Sequence, residues 1–361
     1  MDNSNNNCMV YIGTDSTGKS EGIYGFSFNT STGQLDPKGV LAKLRNPTYL
    51  AVSKNKKFLY SIKEMEISND ESNGAIAAYS IDSKTGNLNL LNYKLTESKV
   101  NCHLNTDSEN KYLFTANYKE GIVTTFSIES DGSIGNLLSA IKHQGSGSVP
   151  DRQKQPHAHF VTLTPDEKYL CAVDLGIDKI VTYGLNHEKG TLTPLDKLSV
   201  SINAGSGPRH MDFHPNGKFA YLVNELSSDI VVLEYSNSST LFNQLQYIST
   251  LPEGYTKDSA CSAIHVSPDG NFLYASNRGH DSLAIFSIDK FTGKLTFITH
   301  SSTFGKIPRD FDIDPTGKYI IAANKDSDSI VTFSIESSGS LIKVNNIFTV
   351  PNPICVKFAC L

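Results

Sequence analysis

One ten-residue pattern, a tight turn running into an aromatic strand, recurs six times along this 361-residue chain. It reads SKNKKFLYSI from Ser53, DSENKYLFTA from Asp107, TPDEKYLCAV from Thr164, HPNGKFAYLV from His214, SPDGNFLYAS from Ser267 and DPTGKYIIAA from Asp314. The aromatic anchors Phe58, Tyr112, Tyr169, Phe219, Phe272 and Tyr319 stand 47 to 57 residues apart. Such a period means one supersecondary unit, repeated, that buries its apolar face only by stacking on its neighbours.

A second pattern keeps the same period. Turns of TGxL type occur at Thr32–Leu35, Thr85–Leu88 and Thr292–Leu295, with looser versions at Asp131–Ile134, Lys189–Leu192, Ser239–Leu241 and Ser338–Leu341. Glycine supplies the positive φ that tight hairpins demand. Between the turns, runs such as Ile122–Ile128, Ile230–Tyr235 and Leu283–Ile288 alternate apolar and polar residues and are β-branched, which predicts strands. Four strands in about 50 residues, seven times over, predict an all-β, seven-bladed β-propeller with four antiparallel strands per blade. Residues 9–44 supply only three strands: Met9–Thr14, Gly22–Phe28 and a weaker one near Val40–Leu44. Their missing innermost partner is expected to be Pro353–Ala359, so the N- and C-terminal strands share one blade and leave no open seam. The expected organisation is a polar, Asn-rich tail at residues 1–8 and one propeller domain over residues 9–361. The tail has neither a basic n-region nor an apolar h-region, so it does not read as a signal peptide.

Composition narrows the function. A net charge of -5 speaks against a nucleic-acid surface, which needs clustered Lys and Arg, and no apolar run is long enough for a membrane span. The cysteines, Cys8, Cys102, Cys171, Cys261, Cys355 and Cys360, show no metal-finger spacing and read as free thiols of a cytoplasmic protein.

Residues equidistant from the turn of each first hairpin become cross-strand neighbours. Counting from Gly217 sets Arg209 opposite Glu225. The equivalent counts set Ser262 opposite Arg278, Arg309 opposite Lys325, His159 opposite Leu175, Cys102 opposite Tyr118 and Thr48 opposite Glu64. All lie at the hairpin end away from the turn, so the pseudo-symmetry gathers Arg209, Glu225, Arg278, Arg309, Lys325, His103, His159 and His210 around one mouth of the channel. Such a ring suits a small, oxygen-rich anion, since arginine forks carboxylate or phosphate and lysine acts as a point charge. His214 and His265 fall at the turn end and read as structural; His280 reads as ordering its own loop.

The strings QGSGSVPDRQKQPHAH (Gln144–His159), GSGPRHMDFHPNGKFAYLVNEL (Gly205–Leu226), HVSPDGNFLYASNRGHDSLAIF (His265–Phe286) and PRDFDIDPTGKYIIAANKDSD (Pro308–Asp328) resemble the propeller-type lactonase family. Its best-known members are bacterial 6-phosphogluconolactonases, with a fungal muconate-lactonising enzyme as a distant relative. The likeness runs from Tyr11 to Phe358. It implies a carboxylic-ester hydrolase acting on a sugar δ-lactone, 6-phosphogluconolactone above others, with catalytic residues at His157, Arg209, Glu225 and Arg278. His103, His159, His210 and Arg309 also fit the family's motif positions and are expected to bind substrate, with Lys325 added from the hairpin count. No cofactor and no metal are expected.

Opening a lactone needs a base for water, donors for the oxyanion and a proton for the departing ring oxygen. Glu225 or His157 is the expected base, Arg209 and Arg278 the oxyanion donors, and a protonated His157 or His159 the acid. Phosphate falls to Arg309 and Lys325, helped by His103 or His210. There is no G-x-S-x-G elbow and no H-E-x-x-H, which disfavours a serine esterase or a zincin. Asp310, Asp312 and Asp314 resemble the start of a calcium loop, but on a strand they form an extended line and the later Glu is missing. Two alternatives stand beside hydrolysis: a lactonising cycloisomerase on the same groups, and a non-catalytic binding platform. The absence of Trp and of Trp-Asp repeats counts against the platform.

Overall fold

The computed structural model describes residues 7–68, 71–96, 98–99, 101–236 and 241–361. Its strands form seven antiparallel sheets, a seven-bladed β-propeller. Blade 1 joins Pro353–Ala359 to Asn7–Thr14, Gly22–Asn29 and Leu35–Lys43. The innermost strands of blades 2 to 7 are Leu50–Val52, His103–Thr106, Ala158–Leu163, Pro208–Phe213, Ala260–Val266 and Pro308–Ile313. Pro353–Ala359 lies against both Leu50–Val52 and Pro308–Ile313, so the ring closes where the sequence led one to expect. In blade 4 the outer strand is broken into Leu192–Pro194 and Val200–Ser201 by a 3-10 turn at Asp196–Leu198.

Apolar side chains fill the spaces between blades. Phe114 and Val123 of blade 3 pack with Val161, Leu170 and Ala172 of blade 4; Tyr221, Val223 and Val232 of blade 5 pack with Leu273, Ala275 and Phe286 of blade 6. The two sequence patterns lock into each other across these spaces. The outer-turn Gly132 of blade 3 sits on the Phe58 ring of blade 2, and Gly293 of blade 6 sits on the Phe219 ring of blade 5. Two residues beyond these two anchors, a tyrosine hydroxyl donates to the carbonyl of the same glycine: Tyr60 to Gly132 at 3.1 Å and Tyr221 to Gly293 at 3.0 Å. The Ser239–Leu241 turn begins outside the described residues.

Gly293 therefore meets two demands, a φ of +68° and a ring 2.5 Å from where a Cβ would stand. Gly254 has a similar φ of +74° with open space around it. Gly293→Val is expected to lower unfolding stability by about 2–4 kcal/mol, and Gly254→Ala by about 1 kcal/mol. Urea titrations check this, and equal losses would contradict the locking role of the turn.

Two expectations need correction. Asn7 and Cys8 belong to the first strand and not to a tail, and Cys8 is buried; the remaining tail residues, 1–6, lie outside the described residues. Cys8 and Cys360 form a disulfide, with Cα atoms 4.0 Å apart, and are not free thiols. The reason is closure itself: pairing Met9 with Ala359 brings residues 352 apart in sequence face to face. Cys102, Cys171, Cys261 and Cys355 are free.

Candidate active site

The first hairpins of the blades carry the chemistry, and a repeated irregularity in their innermost strands aims part of it. In blade 5, Pro208 pairs with Asn224 and His210 with Val223, which leaves Arg209 as the extra residue of a β-bulge. His159 in blade 4 and Arg309 in blade 7 occupy the same position. A bulge re-aims the side chain of its extra residue. It also corrects the hairpin count: the amides of Glu225, Lys325 and Leu175 donate to Gly207, Ile307 and His157, two residues before the partners expected, and Arg278 pairs with Ala260 instead of Ser262.

Arg209 and Glu225 meet all the same. Glu225, almost fully buried, accepts from Arg209 Nε at 3.0 Å and Arg278 Nη2 at 2.8 Å on Oε2, and from Arg152 Nη2 at 2.5 Å on Oε1. Burial alone raises its pKa; the charges of Arg278 and Arg209 and the Arg152 hydrogen bond more than offset this and hold the carboxyl well below the usual carboxylate range. Arg209 donates further to the Ser262 carbonyl at 2.9 Å and to His210 Nε2 at 3.0 Å.

These groups line a cavity of about 530 Å³, within the range of small-molecule sites. Its wall brings six cations, Lys119, Arg152, Arg209, Arg278, Arg309 and Lys325, against three carboxylates, Asp15, Glu225 and Asp310. Among the described residues, ten buried side-chain polar atoms lack a hydrogen-bond partner, and five belong to residues of this wall: Thr48 Oγ1, Asn101 Nδ2, His159 Nδ1, Arg278 Nε and Asp310 Oδ1. Buried polar atoms are normally satisfied, so such a concentration marks a place that expects polar company.

The sequence-derived candidates divide clearly. Arg209, Glu225, Arg278, Arg309, Lys325, His159 and His210 converge on the cavity. His103 lies beneath it, packed between Tyr49 and Phe160 with ring centroids 4.2 and 4.0 Å away. His157 stands outside the lining: its ring stacks on Tyr118 and its Nδ1–H donates to the Tyr118 carbonyl at 2.7 Å. Burial and neighbouring cations push His103, His159 and His210 well below the ordinary histidine value, so His159 is neutral, contrary to a role as a standing acid. Lys325 is paired with Asp15 at 3.1 Å. Cys102 also lines the cavity, but burial raises its thiol to about 12, which removes it as a nucleophile. His214 accepts from Asn216 N and bonds the Gly270 carbonyl, and His280 bonds Ser282. His265 lies at the turn end of its strand as expected, and faces Asp212 and Asp310, each 3.9 Å away.

Sequence reading missed Arg152, Asp15 and Asn101, and it placed Tyr118 at the mouth without giving it a role. Arg152 lies in the long loop before Ala158, which has no counterpart in the repeat. The buried Gln153 anchors that loop by donating to the Leu175 carbonyl and to Asp178 Oδ1, both at 2.8 Å.

Comparison with known proteins agrees with the seven-bladed fold. Residues 9–358 match the family described as "Lactonase, 7-bladed beta-propeller". The chain is 42% identical to a 6-phosphogluconolactonase of Bacillus subtilis, over 96% of this chain and 97% of that protein. It superposes on the periplasmic gluconolactonase of Pseudomonas aeruginosa with a TM-score of 0.92 at 32% identity, covering 98% of this chain and 99% of the other. A crystal structure of a Lactobacillus plantarum protein gives a TM-score of 0.90 at 36% identity, covering 98% and 99%. The chain belongs to the seven-bladed β-propeller lactonase family.

Proposed function

We propose that this chain hydrolyses a sugar δ-lactone, and that its substrate is 6-phosphogluconolactone, opened to 6-phosphogluconate. The observation that carries the reading is a buried carboxylate gripped by three guanidiniums in a cavity whose wall holds five buried polar atoms without a hydrogen-bond partner, Arg278 Nε among them. Glu225 takes a proton from water as its oxygen attacks the lactone carbonyl carbon. Arg209 and Arg278 stabilise the oxyanion, for which the unpartnered Arg278 Nε–H is an available donor. As the bond from carbonyl carbon to ring oxygen breaks, Glu225 returns its proton to that oxygen. The new acid then ionises and releases one proton to solvent. Glu225 serves as base and then acid because His159 is neutral and His157 lies outside the lining. In this reading the protein works in the cytoplasm, where sugar phosphates are made.

Arg309 has no acidic side chain in ion-pair contact among the described residues and, with Lys325, supplies the phosphate end. The lactonase names of the relatives and the convergence of titratable groups support hydrolysis over a binding platform. Arg309→Ala and Lys325→Ala are expected to raise KM for the phosphorylated lactone about ten- to a hundredfold while moving gluconolactone kinetics little. Equal effects on both lactones would remove the phosphate assignment.

A further inference from the structure

The three guanidiniums on Glu225 are not equivalent. Arg209 and Arg278 come from the innermost and second strands of blades 5 and 6, are mostly buried, and share Oε2. Arg152 comes from a loop, its side chain is 41% exposed, and it alone covers Oε1. An attacking water must sit on a carboxylate oxygen, and Oε1 is the one with no strand-borne cation on it. We infer that Arg152 is a gate on the base: it caps Glu225 Oε1 in the empty site, then swings onto the lactone carbonyl and the carboxylate it becomes, vacating Oε1 for water. This rests on the reading of Glu225 as the base.

Three features suit Arg152 to that motion. Gln153 pins the loop backbone, so only the neighbouring side chain has to move, a rotamer change that is fast on the scale of turnover. Arg152 stays partly in water while it holds Glu225 and so can leave into solvent, whereas Arg209, buried together with Glu225, cannot. A planar fork leaving one carboxylate finds an equivalent acceptor in the carboxylate that hydrolysis creates. Tyr118, whose hydroxyl lies 3.5 Å from Arg152 Nη2, marks the side to which the guanidinium is already tethered.

The gate has a pH signature. Glu225 faces Arg209 from blade 5, Arg278 from blade 6, His159 from blade 4 and Arg152 from the loop, with Arg309 of blade 7 farther off. His159 is neutral, so among these groups the loop arginine is the one cation whose removal leaves the strand-borne pairs intact. Without it Glu225 binds a proton more readily, and the acid limb of kcat/KM moves to higher pH.

The test uses the full chain with Arg152→Gln, Arg152→Lys and Glu225→Gln, on phosphorylated and unphosphorylated lactone, with gluconate as the carboxylate probe. Arg152→Gln is expected to lower kcat/KM for both lactones by one common factor of about tenfold or more, and to weaken gluconate inhibition about ten- to a hundredfold. Its acid limb shifts upward. Arg152→Lys, which keeps the charge but loses the fork, restores the limb and not the gluconate affinity. An unmoved limb with unchanged gluconate inhibition would reduce Arg152 to a structural contact. A loss confined to the phosphorylated lactone would assign it to the phosphate end; either result overturns the gate. Full turnover by Glu225→Gln would instead remove the base reading beneath it. Thermal melts establish that each variant is folded.

Discussion

Glu225→Gln is expected to lower kcat by about 10²–10⁴ on either lactone, the usual worth of a positioned general base. Glutamine keeps the size of the side chain and one acceptor oxygen, so Arg209 and Arg278 retain a partner while the base is lost. The change also removes the carboxylate from a buried cluster, and breaking such a pair typically destabilises by about 3–5 kcal/mol. Arginines shared among several partners reduce that loss here, since Arg209 still holds the Ser262 carbonyl and Arg278 that of Cys261. The stability difference depends on pH in a defined sense. The Glu225 pKa is depressed in the folded state, so its contribution is present above the ordinary value of 4.5 and is lost as pH falls through the lowered one. Wild type and variant therefore converge in stability in acid and separate toward neutrality. In the wild type, activity persists below the ordinary glutamate range before its acid limb begins. Rates on both lactones and urea titrations at several pH values check all three statements.

Arg209→Ala carries the next largest effect, a kcat reduction of about 10²–10³, as for removal of an oxyanion donor. Arg209 is the bulge residue of blade 5 and binds Glu225, His210 and the Ser262 carbonyl at once, so no neighbour replaces it. Lysine in its place supplies charge without the fork and restores little. The substitution also acts on His159, whose pKa is held down by burial first and by Arg209 next. Removing that cation raises the His159 value, and an NMR titration of its ring in wild type and variant reads the change. An unchanged His159 titration together with wild-type kcat would deny Arg209 both roles.

The propeller is legible in the sequence because its period is written twice. The aromatic anchors and the outer-turn glycines recur independently, and the structure shows why: Gly33, Gly132, Gly190, Gly293 and Gly339 each close on an anchor ring of the blade before, while Gly86 closes on Met9. Closure by Pro353–Ala359 follows from counting strands. The disulfide does not, because Cys8 and Cys360 are neighbours only once the ring is shut.

The site is legible as far as it lies on repeated strands. Arg209, Glu225, Arg278, Arg309 and Lys325 converge because equivalent hairpin ends share one mouth. A residue count cannot see a bulge, so the ladder partners came out displaced while the face did not. Nor can it see depth. His103 and His159 look like surface titrating groups in sequence and are buried neutral rings in the fold. Arg152 lies on a loop outside the repeat, and no periodicity points to it. Asp15, by contrast, follows the second strand of blade 1 as Glu225 and Lys325 follow theirs, a correspondence that appears only when Pro353–Ala359 is counted as the first strand of that blade.

The central claim is that the Glu225-centred cavity opens a phosphorylated sugar lactone. Its most direct measurement is proton release from freshly generated 6-phosphogluconolactone in a pH-stat, corrected for spontaneous opening, with wild type and Glu225→Gln side by side. The account predicts rapid turnover by the wild type, slower turnover of gluconolactone, and near-background rates for the variant. A wild-type rate no greater than spontaneous opening, from folded protein, would contradict it.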